Sequence, residues 1–242
     1  QRIGYFFTRL LAELFRFVPF WLLYPLSDGL AFVMYAMIGY RKKVVYEHLL
    51  RAFPEKTEAE RRAIALATYR NLADITLETI KGFTMPMEAL RRRSVNVNPE
   101  LVNRYLEQGR SVIVSGSHLN NWEWPCLTIP EPVSGPCVTV FKPLTNRLVD
   151  QYYNRRRARG GMVMTSMEDT AATVRQYQGQ AAAFFLVGDQ SPSNRKSAQW
   201  VPFLNQDTAF LPGIDFLARR YGFPVLYFHV ERVELWPVHT TA

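Results

Sequence analysis

The spacing of apolar and polar residues in the first half of the chain predicts amphipathic helices. Residues 42–53 and 57–82 both place apolar side chains at helical intervals, with charged residues between them. Thr57 followed by Glu60 is the pattern of a capping box at the start of the second helix, and Gly82 is predicted to end it. A further short helix is predicted from Asn98 and Pro99 to about residue 108.

After Gly109 the pattern changes to short runs rich in β-branched and aromatic residues, which predict buried strands. These runs are residues 111–116, 137–141, 182–187, 224–230 and 233–238. Helical patterns near residues 145–158, 167–178 and 210–221 lie between them. Because strands and helices alternate, we predict an α/β fold with a mostly parallel central sheet flanked by helices.

The N-terminal forty residues are dominated by large apolar side chains. Residues 17–40 are long enough for a membrane-spanning helix, which needs about 20 residues. However, a proline, Asp28 and a glycine within residues 25–29 predict a break between two shorter helices. Two interpretations fit, a buried helical hairpin or an amphipathic or re-entrant membrane anchor. The basic cluster at residues 41–43 favours the anchor, with the rest of the chain on the cytoplasmic side. We therefore separate hydrophobic membrane-anchoring helices at residues 1–40 from an α/β domain at residues 41–242.

The net charge of the chain indicates which classes of binding partner it suits. Lys and Arg number 29 against 21 Asp and Glu, a net charge of +8, which suits nucleic acid, anionic lipid headgroups or an acidic protein. Zinc-finger spacing and RNP-like aromatic motifs are missing from the sequence, so nucleic acid is not expected as a partner. The two cysteines, Cys126 and Cys137, form no disulfide framework and are interpreted as packing residues in a reducing compartment.

The stretch VIVSGSHLNNWEWP at residues 112–125 carries the candidate chemistry. A predicted strand ends at Gly116, and His118 follows two residues later. Asn120 or Asn121 is predicted to cap a new helix that carries Trp122 and Glu123. Residues just past the carboxyl ends of parallel strands are where α/β folds place their ligand sites.

The spacing of His118 and Glu123 has a geometric consequence. On one regular helix, five positions would leave the two side chains about 140° apart. With His118 in the loop and Glu123 on the first helical turn, the carboxylate could reach the imidazole and fix its tautomer, while His118 takes a proton from an attacking hydroxyl. A helix-capping histidine with a solvated glutamate is the alternative.

Other chemistries fit this stretch less well. Residues 115–118 do not match the G-x-S-x-G nucleophile elbow, so no serine nucleophile is invoked. Metal binding by His118 and Glu123 is a rival interpretation, but His48, His229 and His239 have no ligand spacing to His118. Neither a metal nor another cofactor is therefore expected.

The string H-L-N-N-W-E after an apolar strand resembles the H-x4-D/E motif of the glycerolipid acyltransferase superfamily. It is still more similar to the H-x-x-N-W-E string of the lipid A biosynthesis lauroyl/myristoyl acyltransferase family. That family's catalytic histidine and acidic residue map onto His118 and Glu123.

The resemblance extends from about residue 1 to residue 235. Lys142, in F-K-P, stands where the family has arginine in an aromatic–Arg–Pro turn. The stretch at residues 146–159 is similar to the helix that supplies the family's arginine, here Arg157 or Arg159. G-D-Q, which contains Asp189, resembles the family's aspartate loop, and residues 201–221 complete the order of motifs.

The sequence also departs from the family pattern near its C-terminus. Family members usually continue further and end in a segment rich in Trp, His and Arg. The runs HVERV and ELWPV follow each other without turn residues. We therefore expect the C-terminal segment to be incomplete, which affects the acceptor side of the pocket more than the catalytic pair.

Charged residues outside the motif are candidates for substrate binding. The arginines at positions 155–157 and 159 fit either a solvated helix terminus or a clamp for lipid phosphate or an acidic carrier protein, and residues 91–93 could form a second patch. Asp189 needs a partner, for which Arg157 or Arg159 is the candidate, either shaping the site or forming a purely structural salt bridge. Gln190 is expected to bind the acceptor.

The resemblance implies an acyltransferase on the cytoplasmic face of the bacterial inner membrane. It would move an acyl chain from acyl carrier protein or acyl-CoA to a hydroxyl of a lipid A precursor, with His118 as the base and Glu123 as its orienter. The expected substrate-binding residues are Asn121, Lys142, Arg157, Arg159, Asp189 and Gln190. Alternatives are the same chemistry on a lysophospholipid or aminolipid, and a non-catalytic lipid-binding protein.

Overall fold

The computed structural model describes residues 1–192 and 194–233. The helices are α1 (Arg2–Phe17), α2 (Phe20–Phe32), α3 (Lys42–Ala52), α4 (Glu58–Gly82), α5 (Met87–Arg91), α6 (Glu100–Glu107), α7 (Pro125–Thr128), α8 (Arg147–Arg157), α9 (Thr170–Gln176) and α10 (Gly213–Tyr221). A π-helix (Val33–Ile38) continues α2, and 3-10 turns lie at Ala158–Gly160 and Arg195–Ser197. The strands are β1 (Val112–Gly116), β2 (Cys137–Phe141), β3 (Val163–Ser166), β4 (Ala183–Val187), β5 (Gln199–Phe203), β6 (Gln206–Phe210) and β7 (Val225–Tyr227).

Five strands form one parallel sheet in the order β3-β2-β4-β1-β7. This arrangement confirms the predicted α/β fold with a parallel central sheet flanked by helices. The strand predicted at 224–230 forms only as the shorter β7, and the run at 233–238 lies outside the described residues beyond Val233, as does His239.

Three strands were not predicted from the sequence. β3 has only four residues, and β5 and β6 form a separate antiparallel hairpin whose first strand is exposed along its whole length. An exposed strand has no buried face, so no hydrophobic alternation marks it. Leu204 and Asn205, both with positive φ, make its two-residue turn.

Both faces of the sheet are buried, because successive side chains of a strand point to opposite sides. Val112 and Val114 of β1 belong to a cluster that includes Val102 and Leu106 of α6. Ile113, between them, belongs to the opposite cluster, with residues of α9 and α10.

The chain leaves β1 and β4 in opposite directions. From β1 it passes through α7 towards β2, and from β4 it passes through α10 towards β7 on the other side of β1. Adjacent parallel strands whose connections diverge in this way open a crevice at their carboxyl ends, the usual ligand site of open α/β sheets. His118 and Asp189 follow these two strands.

The predicted helices at 42–53, 57–82 and 98–108 are confirmed as α3, α4 and α6. The capping box of α4 is also confirmed, since Thr57 and Glu60 exchange side-chain-to-backbone hydrogen bonds. Gly82 is the last residue of α4, but its role is close packing. A Cβ there would lie 2.6 Å from Nε1 of Trp124.

The prediction of a helix break at residues 25–29 is wrong. α2 runs from Phe20 to Phe32 through Pro25, and the break falls earlier, at Val18 and Pro19. Pro19 has extended backbone at the start of α2, where it costs no helical hydrogen bond. The one bond that Pro25 forfeits is tolerated because α2 packs against α4.

The two N-terminal helices each bury only part of their surface. Leu23, Ser27 and Ala31 recur every four residues and form the buried side of α2. The large apolar side chains that α1 and α2 leave exposed are Ile3, Phe6, Phe7, Leu10, Leu11, Leu14, Phe17, Trp21, Leu22, Leu26 and Phe32. The segment Phe20–Ile38 is long and apolar enough to cross a membrane, a test that a signal sequence or a core helix also passes.

Candidate active site

The register of β1 and β4 brings His118 and Asp189 together. Gly116 pairs with Val187, and each candidate side chain lies two residues beyond its strand. The backbone N–H of Gly188 donates to the carbonyl of Gly116 at 3.4 Å, which carries the pairing into the loops. A Cβ at position 188 would lie 2.8 Å from Cδ1 of Ile214, so a side chain there would have to displace the end of that isoleucine.

Asp189 holds His118 through two contacts. Its Oδ2 accepts from the backbone N–H of His118 at 2.9 Å, and its Oδ1 lies 2.6 Å from the imidazole Nδ1. A carboxylate at Nδ1 favours the tautomer with the proton on that nitrogen, so Nε2 is left as a base. The ring remains partly open, with 27% of the His118 side chain exposed. It meets the ring of Trp122 edge to face, with 4.8 Å between centroids.

The prediction that Glu123 contacts the imidazole is wrong. Glu123 instead forms a two-pronged ion pair with Arg157, with Nε–Oε2 at 2.7 Å and Nη2–Oε1 at 2.5 Å. The expected pairing of Asp189 with Arg157 or Arg159 is wrong for the same reason, because the two carboxylates have exchanged partners. The catalytic roles of His118 and Glu123 stay predictions.

The loop between the strand and α7 explains this exchange. Glu123 lies before α7, which begins at Pro125, and not on the predicted first helical turn. Asn120 has a positive φ of 51°, and the chain turns sharply there. The side-chain oxygen of Asn121 accepts from the backbone N–H groups of Glu123 and Trp124, both at 3.2 Å. This turn aims Glu123 towards α8.

The other predicted binding residues are dispersed. Asn121 is buried and its amide donates to Glu78 at 2.9 Å. Lys142 follows β2 and is exposed at the same edge of the sheet as His118. Nε2 of Gln190 lies 3.4 Å from Nε2 of His118. Arg159 donates to the carbonyl of Gly82 at 2.6 Å and so caps the end of α4, away from Asp189.

Most arginines of the two predicted patches already have partners within the protein. Arg156 pairs with Glu13 at 3.5 Å, and Arg157 pairs with Glu123. In the second patch, Arg91 pairs with Glu131, Arg92 with Glu88, and Arg93 lies over the ring of Phe20. These contacts favour the structural interpretation of both patches over a dedicated phosphate clamp.

The two cysteines pack as expected. Cys137 is buried, Cys126 is half-buried, and both are free thiols. Desolvation raises the pKa of each thiol to about 12, so neither is a reactive thiolate at neutral pH. Within residues 1–192 and 194–233, no cluster of three or more His, Cys, Asp or Glu could hold a metal ion.

A cavity of about 1010 Å³ lies behind the loop, and His118 does not line it. Its walls include Val95, Val97 and Leu101, which precede β1 in the chain, together with Phe185 of β4 and the segment from Leu226 to Val233. The cavity reaches the loop at Asn120, Asn121 and Trp124. The cavity therefore ends beside the residues that hold the candidate site.

Sequence reasoning missed a set of buried charges on α4. Asp74, Glu78 and Lys81 are spaced at i, i+4 and i+7 and lie on one face of the helix. Glu78 and Lys81 are buried, at 4% and 6% exposure. The sequence could have indicated them, because these three charged residues recur at the spacing of the buried face of an amphipathic helix.

The structure is an α/β sheet with a histidine–aspartate pair at the carboxyl ends of two adjacent parallel strands, the usual place of a ligand site in such folds. The bacterial lipid A biosynthesis acyltransferase family matches residues 1–235, and the chain belongs to that family.

One curated relative is the lipid A biosynthesis lauroyltransferase of Escherichia coli (strain K12), 24% identical over 207 residues. The alignment covers 85% of this chain and 66% of that protein, so the chain spans just under two-thirds of the relative's length.

Proposed function

We propose that this protein transfers a fatty acyl chain from a thioester donor, acyl carrier protein or acyl-CoA, to a hydroxyl of a lipid A precursor. The single observation that carries the proposal is the 2.6 Å contact between Nδ1 of His118 and Asp189, at the crevice between β1 and β4. Family membership supports the reaction class, and the name of the Escherichia coli relative supports the acceptor.

In the proposed reaction His118 is the general base. Its Nε2 takes the proton from the acceptor hydroxyl, whose oxygen attacks the thioester carbonyl carbon. The tetrahedral intermediate then collapses, the C–S bond breaks, and the imidazolium returns its proton to the leaving thiolate. Asp189 stabilises the imidazolium that forms between these steps. Gln190 is proposed to give way to the acceptor hydroxyl at Nε2.

Glu123 and Arg157 have a different role in this proposal. Arg157 donates through Nε and Nη2 to the two carboxylate oxygens of Glu123, and this ion pair connects the loop after β1 to α8. We propose that this pair keeps the wall of the site rigid, with the remaining guanidinium edge available to a polar group of the substrate. Exposed Lys142 is proposed to meet the lipid headgroup.

Residues 1–40 are proposed to lie in the membrane interface. One side of α2 is occupied by α4, while Trp21, Leu26 and Phe32 on its other side are 61%, 45% and 63% exposed. A helix that is packed on one side and apolar on the other suits an interfacial position better than a free span. The basic residues 41–43 then meet anionic headgroups, which favours the cytoplasmic face.

The test of the reaction is His118→Ala with a purified donor and acceptor. We expect turnover to fall by at least about 100-fold, because loss of a general base removes the proton acceptor. Membrane association and lipid binding should stay as in the wild type. His48→Ala is the matched control, since His48 is an exposed histidine of α3. Full turnover in His118→Ala would reject the catalytic role.

The acceptor is tested separately by mass spectrometry of membrane lipids from cells with and without the gene. Loss of one acyl increment from lipid A supports the proposed acceptor. Loss of the increment from a phospholipid or an aminolipid would replace it.

A further inference from the structure

The buried charges on α4 do not all have the same role. The ammonium of Lys81 binds the carbonyls of Phe15 and Val18, at 3.2 and 2.6 Å, at the end of α1. A cation at a helix C-terminus is an ordinary cap, and it accounts for Lys81. Asp74 and Glu78 have other partners and need a separate explanation.

Glu78 is the centre of a cluster that joins four parts of the chain. Its carboxylate accepts from Tyr24 of α2 at 3.1 Å, from Asn121 at 2.9 Å and from Arg232 at 3.2 Å. Burial raises the pKa of this carboxyl, and the charge of Arg232 acts in the opposite direction.

Arg232 extends the cluster from Glu78 to Asp74. Its second prong donates to Asp74 at 2.8 Å, and Asp74 also accepts from Ser27 of α2 at 2.6 Å. The guanidinium is 18% exposed and the two carboxylates 15% and 5%. Burial of three charges is costly, and well-packed apolar residues are often as stabilising as a buried ion cluster. Stability alone is therefore a weak reason for its presence.

The cluster grips the loop after β1 at two points. The carboxylate of Glu78 binds the amide of Asn121, and the backbone carbonyl of Glu78 accepts from Nε1 of Trp124 at 3.0 Å. Asn121 in turn holds the N–H groups of Glu123 and Trp124. Between these points lies Trp122, whose ring packs on His118. A shift of Asn121 would therefore move the neighbours of His118.

We propose that Glu78 is a positioning residue for acyl transfer, which acts through Asn121 to hold the loop that carries His118. This inference rests on the proposed function. Arg232 and Asp74 fix the orientation of the Glu78 carboxylate. The same cluster connects α2, through its side that faces α4, to the candidate site.

The first test is Glu78→Gln, which keeps the shape of the side chain but removes its charge. Because an ångström of misplacement remote from the chemistry can cost about 100-fold in rate, we expect kcat to fall about 10- to 100-fold, with KM for the donor within about twofold. Asp28→Asn is the matched control. It removes another ion pair between α2 and α4, with Arg70 at 4.0 Å, that is exposed and does not reach the loop. Its kcat should equal that of the wild type.

A double-mutant cycle separates positioning from a general structural role. If Glu78 acts through Asn121, Glu78→Gln combined with Asn121→Ala should be no slower than the slower single variant. Additive losses would overturn the proposal. The indole N–H signal of Trp122 gives a second readout, since it should shift or broaden in Glu78→Gln and stay unchanged in Asp28→Asn. An unchanged Trp122 signal in Glu78→Gln would also overturn it.

The two proposals fail in different ways. Turnover retained by His118→Ala rejects the proposed reaction, whereas turnover lost in His118→Ala but complete in Glu78→Gln rejects only the positioning role. If Glu78→Gln does not fold, Asn121→Ala decides. Positioning predicts a lower kcat in Asn121→Ala than in Asp28→Asn, and equal kcat values in these two variants overturn it.

Discussion

Two acidic side chains, Asp189 and Glu123, flank the candidate site, and their different surroundings indicate different roles. Asp189 is 36% exposed and holds an imidazole, which can gain and lose a proton. Glu123 is 11% exposed and holds a guanidinium, which stays charged. Glu123 is the nearer to His118 in sequence, yet the partner is Asp189. Strand register, and not sequence distance, decides which carboxylate serves the histidine.

Asp189→Asn should give the largest effect. The amide can offer its NH₂ to Nδ1 and so favour the wrong tautomer, and we expect kcat to fall by about 100- to 10,000-fold. Because the pair is about a third exposed, thermal stability should change little. Initial rates with saturating donor, together with a thermal melt, check both parts. A kcat within a few-fold of the wild type would remove Asp189 from the mechanism.

Glu123→Gln should lower stability more than rate, the opposite of Asp189→Asn. It leaves the guanidinium of Arg157 without its carboxylate in a mostly buried place, so we expect a loss of about 1–3 kcal/mol in the free energy of unfolding. The rate of the folded variant should fall less than that of Asp189→Asn. Denaturant unfolding and kcat measured below the melting temperature check this order.

The same pair of variants can reverse the comparison. If folded Glu123→Gln is slower than Asp189→Asn and as stable as the wild type, Glu123 is the residue that orients His118, as the family resemblance implies. The histidine–aspartate contact would then belong to a state that precedes substrate binding.

Gln190→Ala should give the smallest effect. Its amide lies 3.4 Å from Nε2 of His118, a long contact that the acceptor hydroxyl would displace. We expect a change in kcat of about twofold, equivalent to roughly 0.5 kcal/mol. Acceptor-dependent rates check this, and a loss comparable to that of Asp189→Asn would make Gln190 a direct participant in the reaction.

Local sequence patterns predicted the elements that carry buried apolar faces. The capping box at Thr57, the helices α3, α4 and α6, and the strands β1, β2 and β4 all follow from hydrophobic periodicity and end signals. The strands β3, β5 and β6, which have at most one buried residue each, were missed. The helix break was predicted at residues 25–29 because proline and glycine are helix breakers in isolation, whereas packing against α4 keeps α2 intact through Pro25.

The candidate residues were predicted more accurately than their contacts. His118, Asp189 and Glu123 all lie near the crevice, but each carboxylate has a partner other than the one expected. The contact expected between Glu123 and the imidazole required a helix that is capped by Asn120 or Asn121 and carries Glu123 on its first turn. In the structure α7 begins only at Pro125, so Glu123 points from a turn towards α8.

The amino-acid sequence by itself determined the alternation of strands and helices, the family, and the position of a histidine just after a buried strand. Each of these depends on residues that are close along the chain. Tertiary structure alone decided that Gly116 lies beside Val187, so that Asp189 meets the imidazole, and that Arg232 reaches Asp74 and Glu78 on α4. Such pairings join residues far apart along the chain, and only the packing of the sheet and helices brings them within hydrogen-bonding distance.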